Sequence, residues 1–221
     1  RASEGYKSWL LYWGELYAKV STTDSSDPVW KELDDLLATP IQSEAGHRLL
    51  PRAVSIDSGG HSTEQVYEFV RTRQSRGVRA IKGSSNDYGR REIFSAPKKT
   101  DYKGKRQTKA SKFGLLVYQV GTHKAKDLLF GEGGRLSLRG SGPGRMHWYQ
   151  DVRDDYHEQL TGVIKAPSAR FSGKLIWHDK PGQPVEAADR EIYARHAAYR
   201  LRRHPRNDDR GDCLAHTSDA P

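Results

Sequence analysis

Cysteine is almost missing from this 221-residue chain: Cys213 is the only one. A single thiol excludes an internal disulfide framework and any zinc site built on several cysteines, and it suits a reducing compartment. Methionine is as scarce, with Met146 alone. No apolar run approaches the roughly 18–20 residues of a membrane span, and mean hydropathy is -0.85. The first residues lack the basic, apolar and small-residue order of a secretory leader. No G-x-x-x-x-G-K-[ST] nucleotide loop occurs, and no internal repeat. Acid is locally scarce too. Between Arg71 and Lys112 fourteen Lys and Arg meet only Asp87, Glu92 and Asp101, a net +11 in a chain whose total is +9.

That basic segment beside a near-neutral body is the footprint of a polyanion binder; a solvated loop without a ligand is the plainer alternative. Its cations include Arg90, Arg91, Lys98, Lys99, Lys103, Lys105, Arg106, Lys109 and Lys112, with only Phe94 and Tyr102 as aromatics among them. Few rings favour phosphate contact over base stacking.

The remaining sequence reads as alternating strands and helices. Trp9 to Val20 is rich in aromatic and aliphatic residues and predicts a strand, bent at Gly14. Pro28 opens a helix with Val29, Trp30, Leu33, Leu36 and Leu37 at helical spacing. Arg52 to Asp57 is a strand. Ser62 and Gln65 have capping-box spacing before a helix striped by Val66, Phe69 and Val70. Val78 to Lys82 is the next strand, and Ser84 to Lys112 reads as a long mobile insertion. Gly114 to Gly121 predicts a strand, Lys124 to Phe130 a helix, and Gly131 to Gly144 a loop. Asp154 to Leu160 is helical, Lys174 to Trp177 a strand, and Pro184 to Arg203 a final helix. Residues 205–221 read as a disordered tail.

Asp57 therefore ends a strand in a strand–helix–strand unit, at the sheet edge where sites form. Three chemistries compete for it. Asp57-Ser58-Gly59 has the look of an aspartic-protease signature, but that site needs two aspartates sharing a proton, and a helix follows here. A structural cap of the Ser58-Gly59-Gly60 turn is the second. The third is a metal-binding carboxylate acting on phosphodiesters: hard cations take oxygen ligands, and two ions roughly 3.5–4 Å apart serve attacking and leaving oxygens. A second carboxylate would come from the last helix, where Glu186 and Asp189 are spaced i,i+3 on one face. Both also suit the helix dipole without any chemistry.

The ordered set VSIDSGGHSTEQVYEFV, VRAIKGSS, LLVYQVGTHKAKDLLF, GPGRMHWY, YHEQLTG and VEAADREIYARHAA resembles the C-terminal nuclease domain of tailed-phage terminase large subunits of the lambda GpA type. The resemblance runs from about Gly5 to Leu201. It implies an α/β, ribonuclease H-like mixed sheet flanked by helices, over residues 1–204 with the basic insertion at 84–112. It implies a Mg²⁺- or Mn²⁺-dependent endonuclease cutting concatemeric DNA during packaging in the host cytoplasm. Its partners would be double-stranded DNA, the ATPase motor domain, the small terminase subunit and the portal, with no membrane. By position, Asp57 and Asp189 match the family's acids, with Glu186 as a further metal-ligand candidate. Lys82 and Lys126 match its lysines and join the DNA-binding set; Asp127 falls in its Ala-Lys-Asp segment. The family's first catalytic aspartate lies on a strand upstream of GYKSWLLYWGELYA, so the chain is expected to lack that strand and to be a fragment. Val185 replaces an asparagine, and Gly162 stands where a glutamate is usual. A terminase remnant that binds DNA without cutting is the alternative. His61 is a candidate to orient water or touch a phosphate; it is equally a polar loop residue. Gly140 to Gly144 reads as a flexible loop rather than a phosphate cradle, and the five tryptophans as core.

Overall fold

The structure, a computed structural model, describes residues 2–4, 7–43, 45–84, 88–97, 109–140 and 142–203. In chain order the strands are β1 (Ala2–Glu4), β2 (Lys7–Trp9), β3 (Ile41–Gln42), β4 (Arg48–Leu49), β5 (Val54–Asp57), β6 (Val78–Gly83), β7 (Tyr118–Val120), β8 (Met146–His147), β9 (Val163–Ser168) and β10 (Lys174–Asp179). The helices are α1 (Pro28–Ala38), α2 (Thr63–Arg71), α3 (Lys109–Lys112), α4 (Thr122–Phe130), α5 (Asp154–Leu160) and α6 (Glu186–Arg203). The class is α/β with mixed pairing.

The element that positions the site is the parallel sheet β5–β6–β7, with Asp57 opposite Ile81 and Lys82 opposite Gln119. Both faces are covered, as parallel sheets require. On one face Val66, Tyr67, Phe69 and Val70 of α2 pack on Val78 and Ala80, backed by Trp30, Leu33 and Leu37 of α1. On the other, Ile81 and Val120 meet Ala125 and Leu129 of α4 and Ile192 and Tyr193 of α6. A third cluster joins Leu10, Tyr156, Leu160 and Ala187, binding α5 to α6. β2 pairs with β1 antiparallel and with β8 parallel, and β9–β10 is a separate antiparallel hairpin.

Most predicted elements form, and four expectations change. The strand predicted over Trp9–Val20 stops at Trp9; Leu10 makes one last bond to the His147 carbonyl (2.8 Å) and the chain then runs without regular structure. Packing overrides propensity there, because Leu10 and Trp13 turn into the third cluster. The capping box does not form. Ser62 stands at the N-cap of α2, but its hydroxyl bonds the Thr22 hydroxyl (2.7 Å) instead of a backbone N–H. The insertion is not uniformly loose: Ile93 and Phe94 are buried. Gly121 has no Cβ because one would collide with the Arg91 and Glu92 carbonyls as that segment crosses it. Lastly, the sequence pattern predicts only the β10 strand of the β9–β10 hairpin, and β9 forms beside it. Residues 98–108 and the tail after 203 lie outside the described residues.

Candidate active site at the carboxyl end of the parallel sheet

The site grows from the last residue of β5. Ser58, buried, fixes the strand end with both its N–H (2.9 Å) and its hydroxyl (2.8 Å) on the Ile81 carbonyl. Asp57 is thereby held at the edge. Its Oδ1 accepts the Gly59 N–H at 2.9 Å, so the turn-capping role considered from the sequence is present. Its Oδ2 accepts the Tyr193 hydroxyl at 3.1 Å. One carboxylate oxygen serves the turn and the other faces α6.

Tyr193 reaches Asp57 through a gap in β6. A Cβ on Gly83 would stand 3.3 Å from both the Tyr193 hydroxyl and the Thr122 methyl, so glycine leaves the phenol its place. Asp189 sits one helical turn before Tyr193 on α6 and shares its face. Burial, with the Asp57 and Asp189 charges next, pushes the Tyr193 hydroxyl above its ordinary value. It stays protonated and donates. Burial likewise pushes the Asp189 carboxyl up from 3.8 to about 6; the Lys126 ammonium opposes this, and Asp179 and Glu186 add to it.

Lys126 extends from α4 toward these acids. Its side chain is only 12% exposed, and its ammonium pairs with Asp179 Oδ1 at 3.2 Å. The next residue, Asp127, faces the hairpin: its Oδ1 accepts from Lys165 Nζ (2.6 Å) and from the Trp177 indole (2.8 Å). α4 thus grips β9–β10 with two consecutive side chains of opposite charge.

The residues singled out from the sequence divide clearly. Asp57 bonds Tyr193, and Asp189 lies one helical turn before that tyrosine on α6, its charge acting on the same phenol. Glu186 does not join them; it is exposed and pairs with Arg190 one turn on (3.2 Å). Glu15, the acid nearest the family's upstream strand, pairs with Arg153 at 3.4 Å. His61 is exposed beside the turn. Lys82, Arg90 and Lys112 are exposed, Arg91 is half-buried, and Lys126 faces carboxylates rather than open solvent. The side chain of Lys109, and Lys98, Lys99, Lys103, Lys105 and Arg106 entirely, lie outside the described residues. Tyr193 and Asp179 escaped the sequence reading. Tyr193 is signalled by its i+4 spacing from Asp189. Asp179 ends a strand as Asp57 does, but the pairing that defines that strand was not read.

As a cation site, the arrangement offers hard oxygen donors of the right kind, two of them on adjacent elements. Among the described residues no group of three His, Cys, Asp or Glu could hold a metal ion. Mg²⁺ sites commonly use one or two carboxylates and fill the remaining positions with water and phosphate oxygens. Asp57 and Asp189 are the carboxylates that would serve such an ion.

In comparisons with known proteins, a family model described as terminase large subunit gpA, endonuclease domain, matches residues 3–208. No curated protein and no solved structure matches the chain. With that match spanning nearly its whole length, the chain belongs to the gpA endonuclease-domain family of terminase large subunits.

Proposed function

We propose that the domain is a divalent-metal-dependent DNA endonuclease that cuts concatemeric phage DNA during packaging, with Asp57 and Asp189 as the acids of its site. The observation that supports this reading is the buried Tyr193 phenol that donates to the strand-borne Asp57 carboxylate, one turn after Asp189 on α6, at the carboxyl end of a parallel sheet. A bound Mg²⁺ or Mn²⁺ supplies the positive charge that phosphodiester hydrolysis needs at phosphorus. The chain's own residues do the rest. Gly59 and Tyr193 fix the Asp57 carboxylate in one orientation. The half-buried position of Asp189 makes its charge costly until a cation offsets it. The basic run from Arg71 to Lys112 grips backbone phosphates.

This reading takes the sheet as ribonuclease H-like, and the expected two-ion site then needs one acid more than the described residues supply. The ATPase motor domain, the small subunit and the portal follow as partners, and the host cytoplasm as the place of action. The alternative, a DNA-binding remnant without cleavage, is favoured by one observation, the missing third acid among the described residues.

Plasmid nicking with Mn²⁺ decides between them. Wild-type chain nicks, and Asp57→Ala and Asp189→Ala each lose about 100-fold or more. No nicking by the wild type, with salt-sensitive DNA binding intact, selects the remnant.

A further inference from the structure

The β9–β10 hairpin carries positive charge outside the Arg71–Lys112 segment. Residues 163–180 hold Lys165, Arg170, Lys174 and Lys180 against Asp179 alone, a net +3. Outside 71–112 the chain sums to -2, so removing the hairpin's +3 leaves -5. A two-stranded ribbon is marginal by itself, and this one is tied at both ends. At its base Asp127 of α4 accepts from Lys165 Nζ (2.6 Å) and the Trp177 indole (2.8 Å), and Lys126 pairs with Asp179 (3.2 Å). At its tip the Phe171 and Tyr88 ring centroids are 4.1 Å apart, and Lys174 Nζ lies 3.4 Å from the Tyr88 carbonyl. Tyr88 belongs to the basic segment, and Arg90, exposed, follows two residues on. Tyr88 (φ 48°) and Ser172 (φ 52°), the neighbour of Phe171, are the two non-glycine residues of positive φ among the described residues. Such residues keep that conformation only where their surroundings fix it. The two ends differ in how charge is used. At the base Lys165 and Asp179 each face an opposite charge on α4. At the tip Arg170 and Lys174 are exposed, and among the described residues neither pairs with a carboxylate. Cations carried on a fixed arm meet an anion at a smaller ordering cost than cations on a loose loop.

We propose that the hairpin tip and the start of the basic segment, joined through Tyr88 and Phe171, form one surface for the phosphates of duplex DNA, in which Arg170 and Lys174 act with Arg90. The inference rests on the nuclease reading for its ligand and adds to it a contact outside Arg71–Lys112. α4 sets this surface relative to the candidate site. Its Ala125 and Leu129 pack on Ile192 and Tyr193 of α6, and Tyr193 bonds Asp57. Each hairpin strand has six residues, roughly 20 Å at about 3.4 Å per residue. A tip contact therefore falls on flanking DNA, several base pairs from a phosphate held at the site.

The test is fluorescence anisotropy with a labelled duplex, in EDTA so that none is cut. It compares wild type with Arg170→Gln/Lys174→Gln, with the charge-keeping Arg170→Lys/Lys174→Arg, and with Lys19→Gln/Lys31→Gln, which removes the same charge away from the hairpin. All four side chains are exposed, so the fold is kept. Losing two phosphate contacts lowers the salt slope by about 1.8. The Arg170/Lys174 Gln pair therefore binds more weakly at low salt, and between 50 and 200 mM it loses about tenfold less affinity than wild type. The charge-keeping pair has the wild-type slope, and the Lys19/Lys31 pair stays within about half an ion of it. An unchanged slope in the Arg170/Lys174 Gln pair overturns the inference. So does an equal fall in the Lys19/Lys31 pair, which is the signature of net charge alone. Steep salt dependence in wild type, matched by the Arg170/Lys174 Gln pair, removes only this inference; wild type that binds no duplex at any salt concentration removes the DNA reading with it.

Discussion

At the scale of single residues, two titrating groups on α6, one half-buried and one fully buried, act on stability in opposite directions. Asp189 has its carboxyl raised by burial from 3.8 to about 6. The unfolded chain gives up that proton near pH 4 and the folded chain only near pH 6, so folding stability is lost as pH rises across that window. His196 is fully buried, its Nδ1 3.1 Å from the Ser55 hydroxyl and its ring stacked on Phe94. Burial, with Arg200 second, lowers it from 6.5 to about 4. Here stability is present above 6.5 and is lost as pH falls toward 4. The two slopes cancel in the wild type between about pH 4 and 6. Asp189→Asn separates them. In metal-free buffer at pH 7 it is more stable than wild type by up to about 3 kcal/mol, and the difference vanishes below pH 4. Its acid limb is steeper because His196 then acts alone. Urea unfolding at a series of pH values measures this.

At the scale of elements, a buried hydrogen bond joins α5 to α6 beside the third cluster. The Tyr156 hydroxyl, on a side chain 1% exposed, donates to the carboxylate of Glu191, itself 5% exposed. Tyr156→Phe removes a donor from a buried charge at almost no change in shape, and it costs about 1–3 kcal/mol. A lower denaturant midpoint at unchanged m-value is the expected result. Which elements could be read from the sequence follows from the same physics. α1, α2 and α5 were legible because their apolar residues repeat at helical spacing and their starts carry Pro or acids. β5, β6 and β7 were legible as β-branched runs between turns. β9 was not: Lys165 and Pro167 interrupt its apolar residues, and its partner β10 pairs with it only in three dimensions. The stretch after Trp9 misled for the opposite reason, being rich in strand formers that serve packing. At the candidate site, Asp57 and Asp189 stand out in the sequence by their places at a strand end and on the last helix. Asp179 was missed with the hairpin that carries it, and so was the reach of Lys126 toward it.

At the scale of the whole molecule, charge is divided between a net +11 segment and a body that sums to -2. On the proposed reading, association with DNA is driven by release of the counterions condensed on the phosphates that this segment neutralises. If six to ten phosphates are contacted, affinity falls about 10³–10⁵-fold between 50 and 200 mM salt. Fluorescence anisotropy with a labelled duplex gives the slope. Neutralising Arg90, Lys98, Lys99 and Lys103 together flattens it by about four ions, while Asp57→Ala leaves it unchanged. Scarcity has its own use here. Met146, the sole methionine, is 1% exposed and packs in the cluster shared by the sheet, α4 and α6. Isotopic labelling of that one methyl gives a single nuclear-resonance line from the middle of the molecule, so the opening of its interior can be followed without assigning any other signal.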